Sequence, residues 1–443
     1  MNFENKKDHI DCLVSAATII QDADRLLLDG AMQLHRGRIV RIGRRSDFPV
    51  KPDMPVYDFG DAVLFPGLVN AHVHLEYGGL MGQIKPGPFV DWLPQIIAAR
   101  SKLESRQIQK DIADGIRMLV EGGVTTLADI ASFDLSTPWL EQAGMRYICF
   151  LEVINLAPPP YDDFIKALHG RMERQASGPL GQIGLSPHAP YSVSAGLMEC
   201  LRRQMHFGRD IPFAMHVAEF PEEIEFLAHR SGPLARFFRE MPHPQWEYIQ
   251  KESWLAKSPM EFLNLGRPFG SVGDLAIHGN YLDEEAIAKL AAEGRTSLVI
   301  CPGTRLHHGV DAPGPKWAQK HELPLALGTD SLASNNVLSI WEEMSRSLEC
   351  IPQWSARDAF DAATAGGARA LGMRGRIGRL LPNYEADFVA AEKLEGMELE
   401  NSPEPLLERW IGEGKAPEAR DIWVCGKSLL ERPFFRRKEE DPA

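Results

Sequence analysis

The chain has 443 residues, 44% hydrophobic and 25% charged, a globular composition with ample material for a core. With 48 basic and 61 acidic residues its net charge is −13, which argues against a nucleic-acid backbone or an anionic membrane surface as partner. Its six cysteines lie far apart without a Cys-x-x-Cys pair, and neither an apolar signal core nor an apolar run of transmembrane length is present, so the sequence reads as a reduced, soluble, cytoplasmic protein.

In chain order, 12–20, 25–34 and 37–43 read as short strands, with Asp29-Gly30 and Arg36-Gly37 as the tight turns between them. From residue 64 apolar strand-like runs alternate with helical patterns such as 107–121 and 284–293. The strands are expected at 68–76, 124–130, 146–153, 182–190, 212–219, 275–282, 296–303 and 324–331. Eight such repeats over about 270 residues fit an α/β (β/α)8 TIM-type barrel better than an open doubly wound sheet. The long segment 230–272, with Pro242, Trp246, Trp254 and Pro259, either covers the mouth or forms a surface helical pair. After Gly366, strands are expected at 375–380, 386–391 and 421–427, joining the N-terminal strands in one satellite unit. The expected division is a composite β domain from 1–63 and 367–435, a barrel from 64–366, and a disordered charged tail from 436–443.

His72 and His74 lie two apart on one strand, so both imidazoles emerge on the same face at its C-terminal end. Two co-facial imidazoles form half of a zinc or iron site. His188, His216 with Glu219, His278 and Asp330 fall at the ends of four further strands. Barrel active sites gather at those ends. Singly, each has a plain structural reading: a hydrogen-bonded core histidine, or a helix-capping aspartate. Five strand ends of eight carrying such groups argue for one shared site.

The motifs are Pro66-Gly-Leu-Val-Asn-Ala-His-Val-His, Ser186-Pro-His-Ala-Pro-Tyr, His216-Val-Ala-Glu219, His278-Gly-Asn and Gly328-Thr-Asp-Ser-Leu-Ala-Ser-Asn335. Together they resemble the amidohydrolase superfamily, in its branch of cytosine, guanine and S-adenosylhomocysteine deaminases and triazine hydrolases. The resemblance implies a split β-sandwich beside the barrel. It implies one Zn2+ or Fe2+ held by His72, His74, His216 and Asp330, which lowers the pKa of a bound water toward neutrality. It also implies catalytic roles: Glu219 shuttles the proton, His278 orients the water and stabilises charge, and Asp330 accepts a proton. His188 contacts substrate, and the protein is a homodimer. Glu76, two residues past His74, either faces the pocket as a substrate contact or forms a surface ion pair. Trp92 either stacks on a base or packs beneath a helix.

A binuclear site is the competing geometry. The branch that bridges two metals uses a lysine on strand 4, and that strand carries none here; Glu152 on strand 3 is the residue that another, deacetylase branch would use as a ligand. The likeness is nearest to aminodeoxyfutalosine deaminase-like proteins, which act on an adenine nucleoside carrying a benzoate. The chain departs from them at Cys301-Pro-Gly-Thr-Arg-Leu-His-His308, where Arg305 stands at a shifted position relative to an arginine of those relatives. The expected function is therefore hydrolytic deamination of a purine-type nucleoside or related heterocycle, a small-molecule substrate. The alternative is release of chloride or amine from a heterocycle, or amide cleavage, with the same metal. A catalytically dead scaffold is disfavoured by retention of all the metal-binding residues and Glu219.

Overall fold

The computed structural model describes residues 11–49, 54–175, 178–204, 211–241, 245–250, 256–265, 274–393 and 402–436. The first strands are β1 (Cys12–Asp22), β2 (Arg25–His35), β3 (Arg38–Arg44), β4 (Val56–Asp58) and β5 (Val63–Pro66). Arg36 and Gly37 close the β2–β3 hairpin with φ of 51° and 75°, the left-handed backbone that a two-residue hairpin turn needs. Asp29-Gly30 is not a turn: it lies inside β2, and the chain reverses at residues 23–24 instead. There Asp22 Oδ1 accepts the backbone N–H groups of Asp24 (3.1 Å) and Arg25 (3.0 Å), an Asx turn made by side-chain chemistry.

Eight strands follow in parallel runs: β6 (Leu68–Val73), β7 (Val124–Ala131), β8 (Arg146–Val153), β9 (Gly181–Pro187), β10 (Ala214–Val217), β11 (Asp274–His278), β12 (Thr296–Ile300) and β13 (Leu325–Leu327). They form two four-stranded parallel sheets, β6-β7-β8-β9 and β10-β11-β12-β13. Single parallel bridges join the sheets at both edges, Leu185 with Phe213 and Val73 with Asp330. Helices lie between successive strands. In the helix Ser105–Glu121, Ile108, Ile112, Ile116 and Leu119 are buried at intervals of three and four, the spacing of one helix face. The strand ladders stop short of several expected ends, because the chain leaves extended geometry at the site-bearing residues: φ is 49° at Ala218, 70° at His278 and 56° at Asp330.

Beyond the parallel sheets come β14 (Phe388–Ala391), β15 (Ala419–Val424) and β16 (Lys427–Ser428). The segment 375–380, expected as a strand, forms turns and bends. Strands from both chain ends make one mixed sheet in the order β16-β15-β14-β5-β1-β2-β3, with β4 also paired to β1. Arg146, at the start of β8, ties this sheet to the parallel ones. Its buried guanidinium bonds Asp387 at 2.9 Å and pairs with Glu385.

The segment after β10 holds the helices Pro221–His229, Gly232–Glu240, Gln245–Ile249 and Pro259–Asn264. Pro242, Trp254 and residues 437–443 lie outside the described residues. No helix among the described residues is long and apolar enough to cross a membrane.

Candidate active site

His72 belongs to β6, and the backbone of His74 is still extended just beyond it, so the two rings stay near one another, 4.9 Å apart. Asn70, on the same strand, bonds Thr329 through its side-chain amide (2.8 Å) and accepts from Thr329 N (3.2 Å). His72 O accepts the N–H groups of Thr329 (3.0 Å) and Asp330 (3.1 Å). Gly328 permits this approach, since a β-carbon there would stand 2.7 Å from His72 Cβ. Sequence segments about 250 residues apart are thereby fixed side by side.

The strand ends converge on one point. Asp330 Oδ1 lies 3.4 Å from His72 Nε2 and 3.7 Å from His74 Nε2. His74 Nε2 and His216 Nε2 are 3.4 Å apart, and His278 Nε2 approaches Glu219 Oε1 to 3.3 Å. Donor atoms of three overlapping trios lie within 4.8 Å of one another: His72, His216 and His278; His72, His74 and Asp330; Glu219, His278 and Asp330. His216 Nδ1 donates to His188 O at 3.0 Å, which fixes the ring and leaves Nε2 its lone pair. Asp330 Oδ2 accepts from Thr304 and Ser334, both at 2.9 Å, and Oδ1 accepts from Ser331 N at 2.8 Å.

Burial dominates the electrostatics. It pulls His278 down to about 3 and His74 to about 4, and His216 well below the usual imidazole range. Neighbouring imidazoles deepen each shift. The rings are therefore neutral, the form that binds metal. Burial pushes Glu219 well above the carboxylate range, with Asp330 and Glu223 adding repulsion. Burial acts upward on Asp330 too, but His72, whose Nε2 approaches it to 3.4 Å, and the adjacent imidazoles hold it well below its ordinary value. Both nitrogens of His72, both of His278 and Nδ1 of His74 are buried with no hydrogen-bond partner among the described residues. Orphaned buried ring nitrogens are costly unless another group takes them, and a cation beside His72, His74, His216 and Asp330 fits that donor set.

A cavity of about 510 Å³ opens over this cluster, within the roughly 300–1,000 Å³ of small-molecule sites. His188 lines it, its Nδ1 bonded to Ser192 Oγ at 2.8 Å. Trp92 lines it as well, on the helix Phe89–Arg100, and its indole donates to Ala333 O at 3.2 Å. Of the two readings of segment 230–272, covering the mouth is the one the lining supports: Phe237, Phe238, Met241 and Tyr248 all face the cavity.

Glu76 is a correction. It is fully buried, does not line the cavity, and forms no surface ion pair. Its carboxylate accepts the N–H groups of Ser132 (2.6 Å), Phe133 (2.7 Å) and Leu135 (2.9 Å), pinning the loop after β7. Arg305 is likewise buried outside the cavity. It bonds Asn280 Oδ1 and Ala312 O, and Asn280 in turn donates to Glu219 O at 3.1 Å. It braces the loop that carries Glu219 instead of entering the pocket. Glu152 lines the cavity but joins none of the metal-competent trios; its Oε2 accepts from Ser132 Oγ at 2.6 Å and faces Arg100 at 3.6 Å. Sequence reasoning missed Asn70, Thr304 and Ser334; the one available signal was a buried Asn two residues before His72 on the same strand.

An α/β fold of parallel sheets with histidines and carboxylates gathered at the strand ends is the architecture of a metal-dependent hydrolase. The family model described as "Amidohydrolase family" matches residues 63–429, and the chain belongs to that family. It is 29% identical to an aminodeoxyfutalosine deaminase of Deinococcus radiodurans over 71% of this chain and 74% of the relative. It is 28% identical to a 5-methylthioadenosine/S-adenosylhomocysteine deaminase of Nitratidesulfovibrio vulgaris, over 86% of this chain and 84% of the relative. A zinc-bound adenosine deaminase of Xanthomonas campestris superimposes with a TM-score of 0.74 at 24% identity, covering 95% and 92% of the two chains.

Proposed function

We propose that this protein is a metal-dependent aminohydrolase that removes the exocyclic amine of a purine-type nucleoside, aminodeoxyfutalosine being one candidate. The observation that carries the reading is the convergence of His72, His74, His216, His278, Glu219 and Asp330 at one end of a ligand-sized cavity. His72, His74, His216 and Asp330 would hold one divalent ion, Zn2+ or Fe2+, which when bound would supply an activated water at neutral pH. In its ionised form Glu219, whose burial gives it a high affinity for a proton, would take one from a water in the site and give it to the ring nitrogen beside the amine-bearing carbon. Freed of that proton, Glu219 would take up the water's second proton from Asp330, whose carboxylate lies within 4.8 Å of its own, and deliver it to the departing amine as ammonia forms. His278, 3.3 Å from Glu219, orients the water and stabilises charge that develops at the attacked carbon. Asp330, held ionised by the imidazoles, receives the remaining proton.

In this reading the two parallel sheets, bridged at both edges, are one (β/α)8 ring, and the mixed sheet is a satellite β-sandwich built from both chain ends. None of the six cysteines is in a disulfide, which supports a reducing cytoplasm.

The test is ammonia release from adenosine, 5-methylthioadenosine, S-adenosylhomocysteine, aminodeoxyfutalosine, guanine and cytosine, with metal quantified on the same sample. Ammonia from one adenine nucleoside supports the reading. Silence from a sample carrying about one metal per chain rejects it in favour of chloride, amine or amide hydrolysis by the same site.

A further inference from the structure

The cavity has two unlike halves. Its inner end carries the histidines, Glu219 and Asp330. Its outer wall is formed by Leu93, Ile97, Ile154, Phe237, Met241 and Tyr248. Ile97 and Ile154 remain 41% and 47% exposed although they line the cavity, so they stand at its rim. Large aliphatic side chains open to water beside a cavity mark a surface that an apolar group covers.

The charged groups of the wall point the same way. Besides Glu219 and Asp330, the carboxylate and guanidinium groups lining the cavity among the described residues are Arg100 and the buried Glu152, which also neighbours His74 and His188. Arg100 and Glu152 face each other at 3.6 Å, and Arg100 also lies over the Phe133 ring at 5.0 Å. An anionic arm entering here would lose its water and meet a cation already beside a carboxylate.

We propose that this outer half is a specificity subsite that selects an uncharged, apolar substituent on the nucleoside sugar and disfavours one ending in a carboxylate. The inference rests on the deaminase reading above. The apolar roof of Phe237, Met241 and Tyr248 discriminates by burying the substituent, and the paired Arg100–Glu152 wall discriminates against acid by leaving it without a free counter-charge.

The experiment compares kcat/KM for ammonia release from 5-methylthioadenosine, adenosine, S-adenosylhomocysteine and aminodeoxyfutalosine on the metal-loaded protein. The same panel is run on Ile154→Arg, which places a cation at the rim on an already exposed position, with thermal melting as the folding control. The expected result is a preference for the methylthio compound of about tenfold or more over both carboxylate-bearing substrates. In Ile154→Arg the ratio of acidic to methylthio substrate rises about tenfold. Glu152→Gln, which leaves Arg100 without its partner, shifts the ratio in the same direction should the first variant melt early. A wild-type preference for a carboxylate-bearing substrate overturns the subsite while leaving deamination intact. So does an unchanged ratio in a folded variant. No ammonia from any of the four overturns the deaminase reading and this inference together.

Discussion

Thr304 Oγ1 donates to Asp330 Oδ2 across 2.9 Å, from the helix that follows β12 to the carboxylate beyond β13. With Ser334 on the same oxygen, only Oδ1 is left facing His72 and His74. Thr304→Val keeps the shape and removes one of these restraints. Losses of this kind cost about 10–100-fold in metal affinity or activity. Elemental analysis after dialysis against a chelator should show the variant emptying first, with its circular dichroism unchanged. Equal retention by both proteins would mean that Ser334 alone orients the carboxylate.

Glu219 is assigned proton transfer and no metal coordination. Glu219→Gln is isosteric and should lower kcat by about 10²–10⁴-fold, with metal content and melting temperature close to those of the parent. If turnover persists at the parental rate, another group carries the proton.

The carboxylate of Glu76 serves three backbone N–H groups of the loop 132–135, and that loop positions Ser132 against Glu152. Glu76→Leu buries three donors without an acceptor. The expected cost is about 3 kcal/mol or more of stability, read as a lower urea midpoint. A midpoint within error of the parent would show that water replaces the carboxylate.

Glu343 is fully buried, and burial pushes its carboxyl up to about 7 despite bonds from Gly303 N, Asn335 and Arg346. A folded-state pKa above the unfolded one means that the native protein binds the proton more tightly. The stability from this group is full below about 4.5 and is lost as pH rises through about 7, a swing on the order of 3 kcal/mol. Between pH 5 and pH 8 the melting temperature of the parent should fall more than that of Glu343→Gln. Parallel profiles would show that the carboxyl stays ionised throughout.

The run of parallel strands and the placing of histidines and carboxylates at strand ends were legible because both follow local rules. Apolar runs separated by helical spacing announce the parallel strands, and residues two apart on a strand share a face. Where the chain stopped obeying the rule, the reading failed. β6 ends at Val73 and the chain turns into the short helix Leu75–Leu80, so extending the two-residue period to Glu76 put its carboxylate on the wrong side. Arg305, noted in the sequence for its shifted position, sits in the helix Pro302–His308 and is buried outside the cavity. Asp29-Gly30 has the composition of a turn, yet β2 runs straight through it. Thr304, Ser334 and Asn70 were illegible for another reason. Hydroxyls and amides are common, and their value here comes from partners fixed only by the tertiary fold.

The pairing of β14 with β5 has a consequence for biogenesis. β5 is completely buried because β1 covers one edge and β14 the other, and β14 is made more than 300 residues later. During synthesis β5 therefore emerges with an unsatisfied apolar edge directly ahead of the histidine-bearing β6, and it stays open until Phe388–Ala391 has left the ribosome. Release of a chain that ends before that point exposes a strand edge able to pair with another copy. Completion of the mixed sheet thus acts as a late check that only a chain extending past β14 can pass.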